Sequence, residues 1–111
     1  MYIHDVSHYV MGDPRFRHVP QLTPERYAAL KARWGIVYVY SPYWRTWSEI
    51  TLCVRRGGIV QYGAYDPDSG RLRSHQTRTA LWLCSPKPDQ DPTYIYNSWA
   101  ERAGAELLEY R

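Results

Sequence analysis

Between residues 36 and 85 the chain is cut into short strand-like runs by connections too brief for anything except antiparallel pairing. Ile36-Val37-Tyr38-Val39-Tyr40 is β-branched and aromatic throughout and is stopped by Pro42. Ser48–Arg55 alternates cleanly, with Ile50, Leu52 and Val54 on one side and Glu49, Thr51, Cys53 and Arg55 on the other. Arg56-Gly57-Gly58 and Asp66-Pro67-Asp68-Ser69-Gly70 are turn sequences. A parallel crossover needs a dozen or more residues, so these connections predict hairpins. The fourth run starts near Arg71 and extends to Cys84, polar over Arg71–Arg78 and apolar over Ala80–Cys84, with a bulge or bend expected near Thr77–Thr79.

The glycine turn allows two registers. A two-residue loop, Gly57-Gly58, sets Val54 beside Gln61 and Leu52 beside Gly63. A three-residue loop, Arg56-Gly57-Gly58, pairs Val54 with Val60, Leu52 with Tyr62 and Ile50 with Ala64. The second makes one face apolar along its whole length, and a one-residue slip undoes that, so the three-residue loop with a left-handed Gly58 is expected.

Helix signals flank this region. Thr23 is a good N-cap, Pro24 suits the first helical position and Glu25 favours the positive end of the dipole. Tyr27, Leu30 and Trp34 form an apolar stripe with Ala28, Ala29 and Ala32 filling in, and Gly35 ends the helix. Near the other end, Trp99, Ala103, Leu107 and Tyr110 form a second stripe over residues 97–110. The expected fold is α+β: a four-stranded antiparallel meander, in the order α-β-β-β-β-α, with two helices packed on one face. At 111 residues it fits a single domain. Residues 1–22 form an extended arm with a short helix or strand near Tyr2–Met11, 23–34 a helix, 36–85 the sheet, 86–96 a Pro/Asp loop and 97–110 the final helix.

Eleven Tyr and five Trp stand against one Phe. Tyr and Trp carry a polar handle and favour half-buried places and interfaces. Charge is also segregated: residues 26–78 hold nine Lys/Arg against three acids, a net of +6, while both flanks are net negative. That asymmetry points to an anionic partner, either nucleic acid or an acidic protein surface, and a macromolecular partner whose surface is acidic or itself binds nucleic acid is expected. The apolar runs are far shorter than the roughly 20 residues of a spanning helix. His4, Asp5 and His8 stand where a signal peptide would be basic and then apolar, so a cytoplasmic protein with two free thiols, Cys53 and Cys84, is expected.

Four candidate sites follow. The free sheet face of the expected register gathers Glu49, Thr51, Arg55, Ile59, Gln61, Tyr65, Arg71, Arg73 and His75, where Arg can fork onto phosphate or carboxylate and Tyr can stack. A polar face left in water is the plainer reading of the same pattern. Tyr38–Trp47 packs five aromatics and Arg45 into ten residues. Its Tyr43, Trp44 and Trp47 form either an interface or a satellite core. His4, Asp5 and His8, with His18, could hold a divalent metal on a helix, but the Glu of a zinc-protease motif is missing. Cys53 or Cys84 with His75 could form a nucleophilic pair, yet neither cysteine sits in a recognisable signature.

The pattern as a whole predicts a non-enzymatic binding protein, a small inhibitor or adaptor, with no cofactor and no metal. By analogy of type alone, phages encode such proteins against host defence, anti-CRISPR proteins among them. A single-stranded nucleic-acid-binding module and a small metal-dependent enzyme are the alternatives.

Overall fold

The computed structural model describes residues 5–7, 19–42, 44–66 and 69–91. The expected helix at 97–110 lies outside the described residues, as do most of the expected N-terminal element and Tyr43. Among the described residues there is one helix, α1 (Pro24–Trp34). Its boundaries follow from local chemistry. The Thr23 hydroxyl accepts from the Arg26 N–H at 3.1 Å, and Gly35, at φ 82°, donates its N–H to the Lys31 carbonyl. Tyr27 and Leu30 are buried and Trp34 packs against them, as the stripe requires. Ala28, Ala29 and Ala32 are exposed instead, and Arg26 is the further buried residue.

The strands are β1 (Gln21–Leu22), β2 (Tyr38–Ser41), β3 (Thr46–Arg56), β4 (Ile59–Asp66), β5 (Arg71–Thr77), β6 (Ala80–Leu81) and β7 (Cys84–Ser85). They form a five-stranded antiparallel sheet, ordered β5-β4-β3-β2-β7, and a two-stranded sheet of β1 with β6. The expected fourth strand is therefore divided. Its first part is β5, a sheet edge; the chain then bends at Arg78–Thr79, pairs briefly with β1, and returns as β7 on the opposite edge beside β2. Ala80, Trp82, Leu83 and Cys84 are buried and Leu81 is half-buried, because this segment links the two sheets.

The hairpin register differs from the expected one. Arg56 pairs with Ile59, Val54 with Gln61 and Leu52 with Gly63, so the loop is the two-residue Gly57-Gly58. Gly57 has φ 64° and Gly58 is not positive, the pattern of a type II′ turn, whose twist matches that of the strands. A bulge at Thr51 then restores the pairing of Ile50 with Ala64. The bulge shifts the phase of β3: Ile50 and Cys53 both face the helix, while Leu52 and Val54 turn to the other face. Apolar continuity is kept, but by Cys53 rather than Leu52. Gly63 accommodates this, since a Cβ there would lie 3.2 Å from the Cβ of Leu52.

The main core lies between α1 and the sheet and contains Leu22, Leu30, Val37, Val39, Ile50, Val60, Tyr62 and Trp82. Tyr62 ties the two sheets together. Its hydroxyl donates to the Leu22 carbonyl and accepts from the Ala80 N–H at 3.0 Å. Burial pushes that phenol up to about 12, so it stays a neutral donor. A second cluster of Val6, Val19, Trp47 and Leu83, flanked by Tyr38 and Tyr40, covers the other face of the sheet near β2. Val6 and Val19 are buried, so the described parts of the N-terminal arm belong to the core.

Candidate functional site

The corrected register redistributes the expected site residues. Residues directly opposite each other in an antiparallel pair share a face. His75 lies opposite Tyr62 and Arg73 opposite Ala64, so both point to the helix side, and alternation puts Arg71 with them. Tyr65 lies opposite Leu72 on the outer face, with Gln61. The single basic face expected from the sequence is thus divided between the two sides of the sheet.

Arg55 leaves the group at the far end of β3. It forms a forked ion pair with Glu25 of α1 at 2.6 and 3.2 Å. The hydrogen bond from Arg55 is the main reason the Glu25 carboxyl falls to about 2. Both side chains are exposed, so the pair orients the helix end more than it stabilises the fold.

Trp47 belongs to the second cluster, buried against Tyr40 with ring centroids 5.2 Å apart. Its indole N–H donates to the Gln90 carbonyl at 3.1 Å, which holds the segment after β7 against the sheet. The Tyr38–Trp47 segment is therefore part satellite core and part exposed loop. Trp44 is the exposed part, at 45%. Arg45 follows it at φ 54°, a left-handed conformation that costs a non-glycine residue about 1 kcal/mol and turns the chain back into β3.

The structure brings Trp44 and Arg73 together. The Arg73 guanidinium sits over the Trp44 indole, 5.5 Å from the ring centroid. Such a cation–π contact is worth about 0.5–2 kcal/mol depending on desolvation. Arg45 and Arg71 are exposed and adjoin the pair, by sequence and by strand alternation respectively. Trp44, Arg45, Arg71 and Arg73 thus form one aromatic and basic patch where the β2–β3 loop meets the β5 edge.

His75 is half-buried among Tyr62, Trp82 and Asp5. Its ring is 5.7 Å from Trp82 and 6.1 Å from Tyr62, and its Nε2 lies 3.5 Å from an Asp5 oxygen. The Ser7 N–H also donates to Asp5, at 2.7 Å. Burial alone would push the Asp5 carboxyl up, but the bonds from His75 and Ser7 outweigh it and hold it below its ordinary value. Asp5 thus fastens the N-terminal segment to β5. His4, His8 and His18 lie outside the described residues, and no cluster of His, Cys, Asp and Glu among the described residues could hold a metal ion.

Cys53 and Cys84 are free and buried. Burial pushes the Cys53 thiol up to about 12, and raises Cys84 despite the Arg26 guanidinium 3.5 Å from its sulfur. Both shifts oppose thiolate formation, the reverse of what a nucleophilic cysteine needs. No helix among the described residues is long and apolar enough to cross a membrane.

Ile59, expected on the free face, is exposed at 50%, but sequence reasoning missed Leu72, which is 66% exposed on the edge strand. It also missed the buried Arg26. Leu72 carries no local signal, because an apolar residue between Arg71 and Arg73 reads as a core position. No protein-family model, curated protein or solved structure gives a significant match to this chain.

Proposed function

We propose that this chain is a non-enzymatic binding protein of the inhibitor or adaptor kind, which docks on an acidic macromolecular surface through Trp44, Arg45, Arg71 and Arg73. The observation that carries this reading is the exposed Trp44 with Arg73 stacked on it. Trp and Arg are the residue types enriched at interface hot spots, and holding each in place by the other lowers the entropy lost on binding. The raised thiols and the absorption of Asp5 and His75 into structural contacts support a binding role over a nucleophilic one. The aromatic platform needed for single-stranded nucleic acid gains less support, since Tyr65 and the arginines of β5 lie on opposite faces.

The test is binding to poly-L-glutamate in low salt, about 50 mM, where surface charge is only partly screened. Wild type should bind, and Trp44→Ala and Arg73→Glu should each weaken binding about tenfold, equivalent to about 1.4 kcal/mol. Absence of binding by wild type, or binding indifferent to both substitutions, overturns the reading.

A further inference from the structure

The edge strand beside this patch has an open backbone. Arg56 and Ile59 close the two-residue turn, and such a flanking pair is hydrogen-bonded across the hairpin. Ile59, Gln61, Gly63 and Tyr65 therefore direct their N–H and C=O groups toward β3, and Val60, Tyr62 and Ala64 direct theirs toward β5. The register then commits Thr77, His75 and Arg73 to β4. Leu72, Ser74 and Gln76 are left with their peptide groups on the outer edge. All three are exposed.

Among the described residues that edge has no covering strand, bulge or proline, and charge is its one protection. From Asp66↔Arg71 to Val60↔Thr77 the β4–β5 register runs without a bulge, and β5 contains no Pro. It is seven residues long. A long, regular edge that no described strand pairs is a template for a further strand. Its charge narrows the choice of occupant. Residues 71–78 carry Arg71, Arg73 and Arg78 and no acid, and Asp66 stands opposite Arg71 on the inner neighbour. Two copies pairing through β5 would oppose arginine-rich strands, and like charges directly opposite are destabilising.

We infer that β5 accepts an extended acidic segment of the partner protein as a sixth antiparallel strand. This inference rests on the proposed binding role and specifies the partner's chemistry. Alternation sets the pattern. Partner residues on the helix side meet Arg71, Arg73 and the Trp44 ring, and are acidic. Those on the outer side meet Leu72, beside Tyr65, and are β-branched and apolar. Backbone pairing supplies the affinity and the alternating side chains the selectivity.

A capped octapeptide of alternating Glu and Val is the probe, with an isomer of four Glu followed by four Val as its control. The expected result is binding of the alternating peptide, with amide exchange at Leu72, Ser74 and Gln76 slowed about tenfold or more, and much weaker binding of the block isomer. Ser74→Pro removes an outward N–H while sparing the β4 ladder, so it should abolish binding with the melting temperature retained. Gln76→Pro does the same at a second position, and the exchange readout needs no variant. Exchange unchanged at all three amides overturns the inference, as does equal binding of the block isomer or by both proline variants. Loss of binding in Trp44→Ala but not in Ser74→Pro removes the added strand and leaves the binding role standing. Binding of oligothymidylate without either peptide makes the partner a nucleic acid and also overturns the inference.

Discussion

The two edges of the main sheet are built in opposite ways. The β7 edge is two residues long, with Cys84 and Ser85 buried, and Pro86 follows immediately. The Ser85 hydroxyl donates to the Lys87 carbonyl and accepts the Lys87 N–H, so the chain there turns on itself. The β5 edge is seven residues long, half-buried or exposed throughout, and no described strand pairs with its outer side. One edge is closed by brevity, burial and a local turn, while the other, among the described residues, is guarded only by charge. A fold that blunts one edge so thoroughly shows what protection looks like, and its lack on the other marks a surface kept open at some risk.

That contrast can be broken or sharpened by substitution. The largest effect belongs to the closed side. Trp82→Ala empties a fully buried position between the two sheets and should cost about 3–5 kcal/mol in denaturant unfolding. Tyr62→Phe comes next. It leaves the Leu22 carbonyl and the Ala80 N–H without their partner and should cost about 2–3 kcal/mol while preserving the fold's spectrum. Asp5→Asn, which loosens the N-terminal segment from β5, should cost about 2 kcal/mol at neutral pH. The folded Asp5 carboxyl is depressed, so its contribution is complete above the ordinary aspartate range and is lost as pH falls below that range and through the lower folded value. The gap between Asp5→Asn and wild type should therefore narrow as unfolding is repeated at about pH 3. The smallest effect belongs to the open side. Leu72→Thr should change stability by no more than about 0.5 kcal/mol. A destabilisation comparable to Trp82→Ala would mean that Leu72 is packed, and the contrast between the edges would fail.

The features readable in the sequence were those settled within a few residues. Thr23 and Gly35 mark the helix through caps that each satisfy a local backbone group, Pro24 marks its first position by having no N–H to satisfy, and the glycine and Asp-Pro turns mark the hairpins. The register of β3 on β4 was not readable, because Thr51 bulges to serve packing on both faces at once, and alternation alone cannot announce a skipped residue. Two-residue strands such as β6 and β7 have no period to detect. The site was legible by residue type and not by place. Trp44 and Arg45 stand out by aromatic clustering, and Arg71 and Arg73 by alternation, but only the folded chain shows that Arg73 reaches Trp44 while Arg55, Tyr65, Trp47 and His75 serve elsewhere. Arg26 escaped because a buried arginine looks in sequence like any other surface cation.

The Tyr62 hydroxyl joins residues 40 positions back and 18 positions ahead of it in the chain. Neither contact can form until the β3–β4 hairpin has placed the phenol, since nearby segments meet sooner than distant ones. Folding of this chain should therefore start in the middle, with the two hairpins, and work outward, with the small β1–β6 sheet, which the Tyr62 oxygen ties to the main one, forming late. Tyr62→Phe should accordingly speed unfolding far more than it slows folding.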